Sequence, residues 1–250
     1  MDDTFAAYFK IRKDSPVPLY FQLKTQLLEL LQNHVLQAGD KLPTEAEFCK
    51  LLDISRPTVR QAFSELINEG YITRHKAKGT FVAKPKIEGF FFQKLGSFDE
   101  EMRSLGLTPS TRVLRSEVMT PPKDVEEVYG SSKEVFHLLR LRYANDEEMV
   151  LVHTYIPLII FPDIQKENFE VESLYEIYKE KYGVEIAYVD RLVEAKKGAT
   201  HERTLLNMDD EGVILHVTTT AFTSEDIPVE YSIAYYRGDR NRFHMRLERK

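Results

Sequence analysis

The sequence predicts an α+β chain: a mostly helical module over residues 1–82, a linker over 83–96 and an antiparallel-sheet domain over 97–250. Three observations carry that reading. Apolar residues recur at intervals of three and four from Leu19 to Leu66, the period of amphipathic helices. Beyond residue 110 the texture changes to runs of strands with short helices between them and few signs of parallel βαβ units. Charge divides along the same line: residues 1–86 hold 13 Lys and Arg against 10 Asp and Glu, a balance of +3, while the rest holds 21 against 30, a balance of −9. A small basic module suits a polyanion, and the acidic remainder limits indiscriminate binding to nucleic acid.

The first helix is expected from Leu19 to Leu36, with Leu19, Leu23, Leu27, Leu30 and Leu31 on one face, Pro16 and Pro18 at its start and Gly39 at its end. A second opens at Pro43-Thr44, where Thr44 is an N-cap and Glu47, three residues on, completes a capping box; Phe48, Leu51 and Leu52 supply its buried face. A third follows at once. Ser55 caps it, Pro57 suits its first turn, Val59, Ala62, Phe63 and Leu66 face inward, and Gly70 closes it.

Two helices joined by a tight turn, the second headed by Ser-Arg-Pro-Thr, form a helix-turn-helix. Tyr71–Arg74 and Gly79–Val82 read as two short strands joined by the basic turn His75-Lys76-Ala77-Lys78, which makes a wing. The first turn of a recognition helix points into the major groove, so Arg56, Thr58 and Arg60 would reach base edges and phosphates while Lys76 and Lys78 meet neighbouring backbone. On spacing alone, the two arginines are equally well explained as solvated charges on an ordinary helix.

The run LPTEAEFCKLLDISRPTVRQAFSELINEGYITRHKAKGTFV, residues 42–82, closely resembles the winged helix-turn-helix of the GntR family of bacterial transcription regulators. The likeness rests on the Leu-Pro-Thr-Glu opening, Ser-Arg-x-Thr-Val-Arg, the Glu-Gly before the wing and Gly-Thr-Phe-Val. It implies that Arg56, Thr58, Arg60 and Gly79 contact DNA. Two positions depart from the family pattern: Ala46 stands where many members carry a DNA-touching arginine, and Ala77 replaces the usual first wing glycine. These departures bear on operator sequence and affinity.

In the second module, strands are expected around 112–119, 135–144, 149–157, 184–196, 213–223, 229–236 and 243–248, and short helices at 98–105, 122–129, 173–182 and 200–207. The linker carries three phenylalanines that would pack onto one module or the other. Ser97 with Glu100, and Ser173 with Glu176, each look like a capped helix start, a natural seat for phosphate. In HLLRLRY, Arg140 and Arg142 fall on one face of a strand because side chains alternate. Two guanidiniums side by side call for an anion between them. The other reading has local acids such as Glu147 neutralise them and the serines merely cap.

From SFDEEMRSLGLTPS through RLRYANDEEMVLVHTYIP and SLYEIYKEKYGVEI to IPVEYSIAYYRGDRNRF, the chain resembles the UTRA effector-binding domain of the HutC branch of the same family. That resemblance implies a fold like chorismate lyase serving as a ligand sensor. In sugar-phosphate-sensing members, residues matching Ser97, Phe98, Arg140, Arg142 and Ser173 hold the phosphate, and matches to Glu230 and Tyr236 face the rest of the ligand. Val152 stands where many members have a pocket glutamate.

Other features exclude more than they suggest. The seven histidines do not fall at metal-ligand spacing, and no HExxH, CxxC, GxSxG, P-loop or GxGxxG occurs, so no metal or cofactor is expected. No apolar run approaches a membrane span, and the acidic start MDDTFAAYFKIRKD is no secretion signal. Cys49 is a lone, packed thiol, which suits a reducing cytoplasm. Together these readings make the chain a cytoplasmic, homodimeric, ligand-responsive repressor. It would be released from a pseudo-palindromic operator by an anionic metabolite such as a phosphorylated sugar or amino sugar. The alternative is a chorismate-lyase-like enzyme fused to a DNA-binding module, with Glu230 as its general acid or base.

Overall fold

The computed structural model describes residues 5, 7–75, 78–84, 86–89, 95–130, 134–208 and 212–246. The chain divides into two compact units, Met1–Pro85 and Lys86–Lys250.

In the first unit, α1 (Leu19–Gln32) stops at Asn33, short of the Leu36 expected, because His34 takes a left-handed conformation at φ 56°. Leu36 still packs into the core behind the turn. Helix α2 (Glu45–Leu52) begins in the expected capping box: the Glu47 amide donates to Thr44 Oγ1 at 3.2 Å and the Thr44 amide to Glu47 Oε2 at 2.7 Å. Of its three expected core residues, Phe48 is fully buried and Leu52 packs at the edge, but Leu51 is exposed. Helix α3 (Arg56–Asn68) starts at Ser55 and buries Val59, Ala62, Phe63 and Leu66. Phe48 and Phe63 meet edge-on at 5.4 Å, which locks α2 against α3. Lys24 of α1 bonds both Glu65 and Glu69 of α3.

The wing strands β1 (Ile72–His75) and β2 (Gly79–Val82) pair antiparallel. Residues 39–42 add a short edge to them, with the Leu42 amide donating to Thr80 O at 2.8 Å. Lys76 and Ala77 lie outside the described residues, so the expectations placed on them are not addressed by the structure.

The second unit contains, in order, β3 (Ile87–Gly89), α4 (Phe98–Ser104), β4 (Pro109–Met119), α5 (Lys123–Tyr129), β5 (Val135–Ala144), β6 (Glu147–Pro157), a 3₁₀ turn (Ile164–Lys166), α6 (Leu174–Tyr182), β7 (Tyr188–Lys197), α7 (Thr200–Leu205), β8 (Val213–Phe222), β9 (Pro228–Arg237) and β10 (Asn241–Phe243). Among the described residues, six strands form an antiparallel sheet in the order β4-β5-β6-β9-β8-β7.

Residues 87–89, read from the sequence as linker, instead make a parallel pair with β10. The strand expected over 243–248 lies instead at Asn241–Phe243, with 244–246 outside any element and 247–248 outside the described residues. The three phenylalanines of the linker, at 90–92, lie outside the described residues.

Alternation assigns the two sheet faces. Residues 136, 138, 140 and 142 of β5 share a face with 150, 152 and 154 of β6 and 230, 232, 234 and 236 of β9, by register. At one end of this face α6 and the 3₁₀ turn pack through Leu174, Ile177, Tyr178, Phe161 and Ile164 on Phe136, Leu138 and Ile156. At the other end α4 contributes Met102 and Phe98, beside Met149 and Ala144. The opposite face is covered in part by α7, through Leu205 and Leu206, and by α5, through Val125.

That opposite face carries a histidine pair. His137 Nε2 and His153 Nδ1 lie 3.1 Å apart, sharing one hydrogen bond, and the His137 ring stacks on Tyr155 at 4.7 Å. Burial, and then the charge of His137, push His153 down to about 4. A native histidine that refuses a proton the unfolded chain accepts makes the fold lose stability as pH falls from about 6.5, the ordinary histidine value, towards 4. Thermal unfolding followed between pH 7 and pH 4.5 should show that loss, and His153→Gln should remove much of the slope. Equal slopes in the two proteins would exclude the pair as its source.

Candidate functional site

Two sites emerge, one in each unit. In the first, Ser55 caps α3 twice over: its Oγ accepts from the Thr58 amide at 3.4 Å and lies 2.7 Å from Thr58 Oγ1. Thr58, expected to reach outward, is therefore half-buried and tied back to the cap, while Arg56 and Arg60 project into solvent. Arg56 Nε is 3.7 Å from Glu45 Oε2, and Arg74 of the wing holds the other oxygen of the same carboxylate. Glu45, only 17% exposed, thus fixes one arginine of the helix and one of the wing together.

Lys78 is exposed at the wing turn. Gly79 has φ +117°, a conformation that favours glycine, and a Cβ there would meet only the movable end of the Lys41 side chain at 3.0 Å. Lys41 and Arg74 are basic groups of this surface that the motif reading did not single out; no spacing in the sequence announces that residues 39–42 return to the wing.

In the second unit, a concavity enclosing about 620 Å³ of atom-free space, its open mouth included, sits on the covered sheet face between the starts of α4 and α6. Ser97, Phe98, Arg140, Arg142, Ser173, Glu230 and Tyr236, all anticipated from the sequence, line it together with Val152. Thr154, Tyr175, Arg191, Thr219 and Ser232 also line it and were not anticipated. Strand alternation could have found Thr154 and Ser232, since register places them two residues along from Val152 and Ala234.

The two arginines dominate the electrostatics. Arg140 donates to Thr154 Oγ1 at 3.2 Å, and Arg142 pairs with Asp99 at 3.3 Å, its guanidinium centred 5.0 Å over the Phe98 ring. Their local acid is therefore Asp99 of α4, not Glu147, which pairs with Arg237 and Arg240. The Nε of Arg140 and of Arg142 are buried without a hydrogen-bond partner among the described residues. Burial, and then the charge of Arg140, lower Arg142 to about 10. Burial raises the Glu230 carboxyl, which Arg140 partly counters; its Oε2 accepts from Tyr178 at 3.4 Å. Tyr175 and Tyr236 are held as neutral phenols, again chiefly by burial.

The helix starts differ in a way the sequence did not show. At α4 the capping box forms, with the Glu100 amide donating to Ser97 Oγ at 3.2 Å, and Asp99, Glu100 and Glu101 already complement that end. At α6 the expected box is absent: the Ser173 side chain makes no capping bond, and Glu176 points to solvent. Ser173, 8% exposed, faces the pocket instead. Of the two helix ends, only that of α6 keeps its first-turn N–H groups clear of side-chain caps.

Comparison with known proteins fixes the family. The pattern of the bacterial regulatory proteins of the gntR family matches residues 19–82, and that of the UTRA domain matches residues 104–242. The HTH-type transcriptional repressor NagR of Bacillus subtilis is 32% identical over 235 residues, covering 93% of this chain and 96% of NagR. The chain belongs to the GntR family. Within that family it is a regulator of the HutC type, a DNA-binding transcription regulator and not an enzyme.

A probable fructoselysine utilization operon transcriptional repressor of Escherichia coli is 28% identical over 89% of this chain and 91% of its own length. The crystal structure of PhnF from Mycobacterium smegmatis shares the fold, with a TM-score of 0.64 at 24% identity over 91% of this chain and 99% of that one. Among the described residues no helix is long and apolar enough to cross a membrane, and no three His, Cys, Asp or Glu side chains gather as a metal ion would require.

Buried charges that lack full compensation cost stability, and neutral groups of similar volume commonly do better. The double variant Arg140→Met/Glu230→Gln is therefore expected to melt at or above the wild-type temperature in the absence of ligand. A large loss in calorimetry would mean that the charges serve the fold itself.

Proposed function

We propose that this regulator is a repressor whose effector is a phosphorylated sugar or amino sugar. The single observation that carries the reading is the pair of buried guanidiniums at Arg140 and Arg142, one of them answered by only a single carboxylate at 3.3 Å. A phosphate dianion supplies the missing negative charge and accepts from several N–H groups at once. Arg140, Arg142 and Ser173 are its proposed direct ligands, with Ser97 and Phe98 forming the adjoining wall. Glu230 and Tyr236 are assigned to the sugar end, where a carboxylate accepts from hydroxyls.

Val152, opposite Arg140 and Ala234 in register, gives that part of the floor an apolar surface in place of an acceptor. The effector would present less polar substituents there than one met by a glutamate. The fructoselysine relative, named for use of a sugar derivative, supports the substrate class.

The DNA half of the proposal assigns Arg56, Thr58, Arg60, Lys78 and Gly79, together with Lys76 outside the described residues, to the operator. A homodimer would place two α3 helices in successive major grooves of a pseudo-palindrome inside the cell. An effector lowers operator affinity only by binding the DNA-incompatible form more tightly.

A thermal-shift series with phosphorylated and unphosphorylated versions of the same sugars tests the pocket. A matching phosphate ester at about 100 times its Kd should add about 2.7 kcal/mol of stability, and its parent sugar far less. Absence of any shift across the phosphate esters would overturn the reading. Separately, Arg56→Ala or Arg60→Ala should weaken binding to a duplex selected from a random pool by about 1–3 kcal/mol while sparing the ligand response. Arg140→Ala or Arg142→Ala should do the reverse. Equal loss of both activities in either set would contradict this division of labour.

A further inference from the structure

Ahead of the helix-turn-helix, residues 7–15 do not trail away but are strapped along α1. The Lys10 amide donates to Gln26 Oε1 at 2.6 Å, and Gln26 Nε2 returns a bond to Lys10 O at 3.2 Å. One turn nearer the start of α1, the Arg12 amide donates to Gln22 Oε1 at 2.8 Å and Gln22 Nε2 bonds Arg12 O at 3.0 Å. Two side-chain amides thus imitate a strand partner for the segment. Phe9, 8% exposed, anchors it by meeting Phe48 edge-on at 5.6 Å. A segment held by that many bonds has a defined position, so the charges it carries have one too.

Those charges lie beside the recognition helix. Lys13 pairs with Asp53, the left-handed residue that closes α2 two positions before the Ser55 cap of α3. At the other end of α2, Glu45 holds Arg74 of the wing. Eight residues of helix separate these ends by about 12 Å, so the strap meets α2 at the end next to the Ser55 cap and the wing meets it at the other. The first helix of a helix-turn-helix crosses the DNA backbone, and phosphates then pass both of its ends. Arg12 is 74% exposed and Lys13 is 55% exposed, and among the described residues each pairs with an exposed acid, Asp14 and Asp53 respectively. Exposed pairs of this kind are weak and readily exchanged for a phosphate.

We propose that Arg12 and Lys13 form a second phosphate-binding site, at the end of α2 away from the wing, which grips the DNA backbone without reading sequence. Asp53 holds Lys13 in place until a phosphate takes over. The site compensates for what Ala46 does not supply: α2 itself presents Ala-Glu-Phe-Cys after Glu45, with no cation in its first turn. It rests on the DNA binding of the family and on nothing in the effector pocket.

The test measures the dependence of affinity on salt for the intact protein and for Arg12→Gln/Lys13→Gln. Two probes are used, a duplex selected from a random pool by the wild-type protein and a scrambled duplex of the same composition. Loss of two phosphate contacts per copy should lower the slope of log K against log salt by about 1.8 for each copy bound, or about 3.6 for a homodimer on its operator. Affinity should fall on both duplexes alike, so that the ratio between them is kept. Asp53→Asn, tolerated at φ 49° because asparagine shares aspartate's access to that region, should tighten binding to both duplexes.

An unchanged slope in a variant with the wild-type melting temperature overturns the proposal. So does a loss confined to the selected duplex, since that would mean base reading. If the double variant folds poorly, Asp53→Asn decides the matter: tighter binding supports the site, unchanged or weaker binding removes it. Failure of the wild-type protein to bind any duplex would instead strike at DNA binding itself.

Discussion

Much of the second unit answers one electrostatic constraint: two arginines, two residues apart on β5, must share a buried face. Strand alternation leaves no choice of direction once β5 is flanked on both sides. Each cation loses hydration that costs several kcal/mol to replace, and each raises the cost of the other. The surroundings read as a set of partial remedies. Asp99 comes from the first turn of α4, Phe98 offers its ring face, Thr154 offers a hydroxyl and Glu230 a carboxylate whose own burial makes it a reluctant anion. None of these reaches the Nε of either arginine. A protein selected only for stability would replace such a pair with apolar side chains; retaining it makes sense where a ligand completes the site.

The same logic explains the difference between the two helix ends. If α4 and α6 were both closed by capping boxes, the pocket would hold cations but few uncommitted donors. Glu100 closes α4, and Asp99 is drawn off to Arg142. At α6 the glutamate three residues past Ser173 turns outward and the box does not form. At α4 the Glu100 amide is already given to Ser97 Oγ, whereas no side-chain cap takes up a first-turn N–H of α6. The two serines look alike in sequence, but only the α6 end keeps its donors uncommitted to a side-chain cap.

Legibility followed the range of the interaction. The Thr44–Glu47 box, the Ser55 cap and the shared face of Arg140 and Arg142 depend on residues two or three apart, and all were readable. Ser173 shows where even short range fails, since a capping motif states what is possible and not what a pocket prefers. The parallel pairing of Ile87–Gly89 with Asn241–Phe243 spans most of the chain, and no local pattern distinguishes that segment from linker. Asp99, Lys41 and Arg191 belong to the same class: each reaches its site through tertiary structure alone. The strap of residues 7–15 was read from the sequence only as an acidic start and not as an ordered segment. Its direction depended on Gln22 and Gln26, which as polar residues on α1 looked like ordinary solvated positions.

Charge placement in the first unit follows a principle different from that of the pocket. There the cations stay exposed and are held loosely by carboxylates: Arg56 and Arg74 by Glu45, Lys13 by Asp53. Exposed pairs contribute little to stability but restrict side-chain freedom, so the entropy of ordering each cation is partly spent before DNA arrives. They also restrain indiscriminate binding, because phosphate contacts by Arg56, Arg74 and Lys13 must each displace a carboxylate. Sequence-specific contacts by α3 add to that exchange and non-specific ones do not, which widens the ratio between the two. A regulator with a net charge of −6 can thus keep a basic DNA-binding face without adhering to nucleic acid at large.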